Sequence, residues 1–149
     1  MRIILMINKI SVAIITKNEA GNIKSAINTC TKFDEVVVLD SGSSDMTLLI
    51  AEAAGAICHQ SPWEGFGKQK QRAVMLCKND WILSLDADEC LSNELINEIL
   101  SLDLDNPKVA YRFKRSNYFL GTRVRFSGWQ NDFVIRLFNK NFCRVTVYG

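Results

Sequence analysis

The run Leu83-Ser84-Leu85-Asp86-Ala87-Asp88-Glu89 is the sharpest chemical feature of the sequence, an apolar stretch that empties into an Asp-x-Asp. Two carboxylates separated by one small residue at a strand end can face a single hard divalent ion, Mg2+ or Mn2+, and a nucleotide diphosphate, because such ions prefer oxygen ligands. An acidic solvent loop is the plain alternative for so short a motif. Asp40, which closes Val36-Val37-Val38-Leu39-Asp40, offers another carboxylate able to accept hydrogen bonds from a nucleobase or ribose, or to serve as an ordinary turn residue. Thr16-Lys17-Asn18-Glu19 is a third polar cluster, one that helix capping alone would also explain. Lys70 carries a point charge suited to phosphate and is equally readable as a solvated lysine on a helix face.

These residues need elements that bring them to one place. Ile10 to Thr16 is a nearly continuous apolar, β-branched run, which predicts a strand covered on both faces as in a parallel sheet. Ile23, Ala26, Ile27 and Cys30 then recur at helical spacing. Phe33 to Asp40 predicts a second strand, and Met46 to Ala54 a helix with Asp45 as its N-cap and Gly55 at its end. A short strand at Ala56-Ile57-Cys58, a loop over Pro62-Trp63-Glu64-Gly65-Phe66-Gly67 and a helix from about Lys68 to Cys77 follow. Trp81 to Asp86 predicts another buried strand, and Asn93 to Leu100 a helix. Alternating strands and helices of this kind define an α/β sheet, whose ligands bind at the carboxyl ends of the strands. Thr16, Asp40 and Asp86 all fall at that edge.

The pattern changes near Asn106-Pro107. Val109 to Phe113 and Val134 to Phe138 read as strands, either antiparallel additions to the sheet or part of an acceptor region. Between them lie basic and aromatic residues, among them Arg112, Lys114, Arg115, Tyr118, Phe119, Arg123 and Arg125. These fit a phosphorylated acceptor borne on a membrane, or simply the solvated face of an alternating strand. The chain stops at Tyr148-Gly149 directly after a strand-like run, which reads as a truncated chain.

Composition narrows the classes. The 149 residues suit one domain with a substantial core, and 48% hydrophobic with 23% charged residues argues against disorder and coiled coils. A formal charge of +2 is too slight to imply a nucleic-acid partner. Five scattered cysteines without a Cys-x-x-Cys pair predict reduced thiols used as small apolar residues, not a disulfide framework or a structural zinc site. The apolar start Met1 to Ile7 halts at Asn8-Lys9, too short for a spanning helix and without a cleavage site. A dinucleotide-dependent oxidoreductase is excluded because no Gly-x-Gly-x-x-Gly follows the first strand, and a nucleotidyltransferase because no glycine-rich phosphate loop does.

Taken in order, Ser11 to Glu19, Val36 to Asp45, Trp63 to Lys70 and Leu83 to Glu89 resemble the family 2 glycosyltransferases of the GT-A fold. The subgroup they are most similar to is the bacterial lipopolysaccharide core-type beta-1,4-glucosyltransferases, over roughly residues 10 to 140. The resemblance implies a GT-A (nucleotide-diphospho-sugar transferase) fold, a mainly parallel Rossmann-like sheet flanked by helices. It implies one domain over 1–149, with about 10–105 as the nucleotide-sugar part and about 106–149 as the start of the acceptor part. Thr16, Asn18, Glu19 and Asp40 are then expected to line the uridine pocket, with Asp86 near ribose and metal. Asp88 is expected as the principal metal ligand and Lys70 as a phosphate contact.

The family inverts at the anomeric carbon, so a general base must deprotonate the acceptor hydroxyl. Gly128-Trp129-Gln130-Asn131-Asp132 resembles the subgroup's Gly-Trp-x-x-Asp, which makes Asp132 the expected base, although Asp132 is also placed to orient Arg136. Trp63 and Phe66 are read either as part of the sugar-side loop or as packing beneath it, and His59 as structural. The implied activity is transfer of a hexose, glucose by expectation, from a UDP-sugar to a lipopolysaccharide core or related glycan or lipid-linked acceptor. The implied location is cytoplasmic, peripheral on the inner face of the membrane. The alternative is a truncated, non-catalytic nucleotide-sugar-binding domain.

Overall fold

A computed structural model of the chain describes residues 9–114, 118–119, 122–123 and 133–143. Its frame is a six-stranded sheet in the order β3-β2-β1-β4-β8-β5. β1 (Ile10–Thr16) pairs in parallel with β2 (Glu35–Asp40) on one side and with β4 (Trp81–Asp86) on the other. β3 (Ile57–Gln60) extends the parallel part beyond β2. β8 (Phe133–Asn139) lies antiparallel to β4, and β5 (Tyr111–Lys114) antiparallel to β8 at the sheet edge. A separate two-stranded hairpin joins β6 (Tyr118–Phe119) and β7 (Thr122–Arg123). Both strands predicted beyond Pro107 therefore form, as antiparallel additions to the sheet.

Burial on both faces explains the apolar runs. Along β1, Val12 and Ile14 join a core with Val36, Val38, Leu83 and Leu85 under helices α1 (Ile23–Asn28), α2 (Thr47–Ala53) and α4 (Asn93–Leu100). The intervening Ala13 faces the other way, with Val37, Leu39 and Ile82, under Ala73 and Val74 of α3 (Phe66–Leu76). Each strand thus carries two apolar faces at period two, which in sequence reads as one unbroken run. Cys30 and Cys77 fill these cores as small apolar groups, and burial pushes their thiols up to about 11 and about 12. The five cysteines are all unpaired.

Two helix starts differ from expectation. Met46, not Asp45, occupies the cap position of α2, and no side chain caps there. Asp45 instead accepts from the Thr47 amide at 3.0 Å and from the Thr47 hydroxyl, and accepts from the Ala20 amide at 3.3 Å, which ties the start of α2 to the loop after β1. Helix α3 begins at Phe66 rather than near Lys68. Gly65, at φ +97°, supplies the left-handed turn into it, and its carbonyl accepts from the Gln69 amide at 3.0 Å.

The strand order fixes where a ligand can sit. The chain builds outward from β1 to β2 and β3, then crosses back through α3 to place β4 on the opposite side of β1. That reversal opens a crevice at the carboxyl ends of β1 and β4. Register brings the expected residues to it, since Thr16 pairs with Asp40 and Ile15 with Asp86.

Candidate active site

The crevice holds a cavity of about 460 Å³. Of the residues expected from sequence, Thr16, Glu19, Lys70, Asp86 and Asp88 line it. The Thr16 hydroxyl oxygen is buried there without a hydrogen-bond partner among the described residues. A buried polar group is costly to leave unpaired, and this one lies below the accessible surface of a residue that lines the cavity.

Asn18 and Asp40 are not on the cavity wall. Asp40 is fully buried, and its carboxylate accepts from the Gly42 amide at 2.9 Å, the Ser43 amide at 2.8 Å and the Ser43 hydroxyl at 2.5 Å. Asn18, held at φ +53°, donates its amide to the Ser43 hydroxyl and accepts from the Ser44 amide through its side chain, both at 2.8 Å. Both residues therefore shape the loops after β1 and β2. Ser41, exposed to the cavity by this turn, had no signal beyond its polar loop.

The acidic end of β4 is a cluster. Asp86, Asp88 and Glu89 each offer a carboxylate oxygen, all within 4.8 Å of one another. Three hard oxygen donors at that spacing fit Mg2+ or Mn2+. Lys70 reaches Asp86 Oδ1 at 3.0 Å from α3, and Arg136 reaches Asp86 Oδ2 at 3.3 Å and Glu89 Oε1 at 2.6 Å from β8. Burial works to raise the Asp86 pKa, but hydrogen bonding with Glu89 and the charges of Lys70 and Arg136 outweigh it and hold the carboxyl well below the usual carboxylate range. Glu89 was visible in sequence as the residue after the Asp-x-Asp. Arg136 was not visible as its partner, because the contact spans 47 residues. The expected base, Asp132, lies outside the described residues.

An aromatic pair forms the outer wall. Trp63 and Phe66 meet edge to face with centroids 4.8 Å apart, and both line the cavity while remaining exposed, at 45% and 63%. They pack on each other at the cavity mouth, not beneath the loop. Arg72 secures the loop that carries Trp63, donating to Ser61 Oγ at 2.8 Å and pairing with Glu64 at 2.5 Å.

A mainly parallel sheet with carboxylates at its switch point and helices on both faces defines the GT-A class of nucleotide-diphospho-sugar transferase fold. Residues 11–147 match Glycosyl transferase family 2, and the chain belongs to that family. An uncharacterized glycosyltransferase of Rickettsia bellii is 54% identical over 143 residues, which cover 93% of this chain and 48% of the relative. The lipopolysaccharide core biosynthesis glycosyltransferase LpsC of Rhizobium meliloti is 32% identical over 120 residues, covering 75% of this chain and 44% of the relative. The chain thus spans about half the length of these relatives. Among solved structures, S. aureus TarS 1-349 is 28% identical with a TM-score of 0.52 over 62% of this chain and 31% of that one. Glucosyl-3-phosphoglycerate synthase of Mycobacterium tuberculosis in complex with uridine-diphosphate is 30% identical with a TM-score of 0.50, over 55% of this chain and 34% of that one. Among the described residues no helix is long and apolar enough to cross a membrane.

Proposed function

We propose that this chain carries the donor half of an inverting, metal-dependent hexosyltransferase, with a UDP-sugar, UDP-glucose foremost, as donor and a lipopolysaccharide core or related glycan as acceptor. The observation that carries the reading is the cavity at the β1–β4 switch point, whose wall brings Thr16, Lys70, Asp86 and Asp88 together. The family, the likeness to LpsC and the uridine-diphosphate held by the mycobacterial synthase support it.

In this reading Thr16 and Glu19 meet the uridine, with Asn18 and Asp40 setting the loops against it. The ammonium of Lys70 meets the diphosphate, and Asp88, the exposed carboxylate of the cluster, is the principal ligand of Mg2+ or Mn2+, with Asp86 behind it. The ion, when bound, stabilises the charge that develops on the departing UDP. Asp132 accepts the acceptor hydroxyl proton as the new glycosidic bond forms. Residues of about 106–149 open the acceptor side, at the inner face of the cytoplasmic membrane.

Calorimetric titration of the 149-residue chain with UDP-glucose, with and without Mn2+ and with UDP release followed in parallel, tests the reading. Mn2+-dependent binding is the expected result. Binding without UDP release under any acceptor condition supports a nucleotide-sugar-binding domain instead, and no binding at all overturns the donor site.

A further inference from the structure

The part of the cavity wall that carries Trp63 is held by a side chain outside the cavity. Residues Ser61 to Gly65 join β3 to α3. The ends of this segment are tied through the backbone, since the Ser61 amide donates to the Asp40 carbonyl at 2.9 Å and the Gly65 carbonyl accepts from the Gln69 amide at 3.0 Å. Between them, Pro62, Trp63 and Glu64 join no backbone-to-backbone hydrogen bond among the described residues. Arg72, in the second turn of α3, supplies what the backbone does not. Its Nη1 donates to Ser61 Oγ at 2.8 Å and to the Pro62 carbonyl at 3.3 Å, and its Nη2 pairs with Glu64 Oε2 at 2.5 Å. The planar guanidinium thus grips residues on both sides of Trp63 at once, a fork that a lysine ammonium does not offer. Lys68 also reaches Glu64, at 3.9 Å, but from a side chain 73% exposed, where an ion pair contributes little.

Trp63 and Phe66 meet edge to face, which leaves ring surface uncovered on each, and both are exposed on the cavity wall. Large apolar faces left open at the mouth of a cavity suit a ligand with a flat or apolar ring face. Phe66 lies four residues before Lys70 on α3, so the aromatic wall stands on the same side of the helix as the ammonium assigned to the diphosphate. A nucleotide sugar carries a ring on either side of its diphosphate, the pyrimidine and the hexose. We propose that Arg72 is a positioning residue, which holds Trp63 against Phe66 so that one ring of the nucleotide sugar meets an aromatic surface already formed. The inference rests on the donor site proposed above. Arg72 does not line the cavity and acts through Trp63, so that less of the contact energy is spent on ordering the loop when the ligand binds.

The experiment measures the affinity of the full chain for UDP-glucose and for UDP, with Mn2+ present, in the wild type, Arg72→Met, Trp63→Ala and the double variant. Each single substitution is expected to weaken UDP-glucose binding about three- to tenfold, the scale of an aromatic contact. In the Trp63→Ala background, Arg72→Met is expected to cost less than about twofold, because the residue it positions is gone. A merely structural role would instead give losses that multiply, and that result overturns the inference. Arg72→Lys keeps the charge without the fork and is expected to behave as Arg72→Met does, whereas full wild-type affinity in that variant overturns the fork as the device. A loss confined to UDP-glucose identifies the covered ring as the hexose, and an equal loss for UDP identifies it as the pyrimidine. Should Arg72→Met lack a cooperative thermal transition, Glu64→Gln removes the charged partner of Arg72 and is expected to shift affinity in the same direction by a smaller factor. Unchanged affinity in the folded variants, with the wild type binding UDP-glucose, overturns the role of Arg72 and leaves the donor site standing. Absence of binding in the wild type for both ligands overturns both.

Discussion

Strand β4 has two different neighbours, and the site is made from the contrast. On its β1 side pairing is parallel, so the ends of both strands reach the same edge and each contributes a polar terminus, Thr16 and Asp86. On its β8 side pairing is antiparallel, so the strand that meets Asp86 is running the other way and offers a mid-strand residue, Arg136. Parallel pairing gathers the polar strand ends and the antiparallel strand supplies a base against Asp86. The two sides of β4 are thus joined by charge as well as by the hydrogen bonds of the sheet.

The sharpest way to break this contrast is to remove Asp88. Asp88→Ala takes away the exposed carboxylate of the cluster, and UDP affinity is expected to lose its dependence on Mn2+ entirely. A variant that keeps the wild-type response to Mn2+ sinks the assignment. Asp132→Asn is expected to leave donor binding intact while lowering turnover about a hundredfold, the scale of a lost general base. Comparison of kcat with UDP affinity in that variant decides it, and equal turnover moves the base elsewhere.

Stability should divide along the same line. Leu83 in β4 is fully buried, and Leu83→Ala is expected to cost about 2–5 kcal/mol in chemical denaturation, from lost burial and the cavity left behind. Ile135 of β8 is 61% exposed, and its truncation to Ala should fall within about 0.5 kcal/mol. Similar losses at the two positions would mean that the β8 flank is covered in solution. Smallest among the larger changes is Ser92→Ala, which deletes the bond that Ser92 Oγ accepts from the Leu95 amide at 3.2 Å and should cost about 1 kcal/mol.

Strands β1, β2 and β4 were legible because burial on both faces leaves an apolar run that turns give away at each end. The acidic ends of β2 and β4 were legible too, since a charged residue closing such a run must emerge at the edge. Local geometry was harder. Asp45 has the right residue type for a cap, yet its carboxylate is drawn to Thr47 and Ala20, and the cap position passes to Met46. Phe66 and Gly67 read as loop because neither favours a helix, and the left-handed turn at Gly65 decides otherwise. Arg136 and Asp86 lie 50 residues apart on strands whose direction no spacing rule reveals, so their contact had no signature in the sequence. The hairpin β6–β7 was hidden for a different reason, since two residues per strand are too few to show alternation.

The hydrogen bonds around Asp40 have one more consequence. Through Ser43 and Ser44 they join the turn after β2 to Asn18 in the turn after β1, while Ser41 donates its amide to the Thr16 carbonyl at 3.0 Å. The two loops therefore behave as one stiff plate with its shape set during folding. In the proposed donor role, a nucleotide settling against it would have little left to immobilise, so more of its contact energy would survive as affinity.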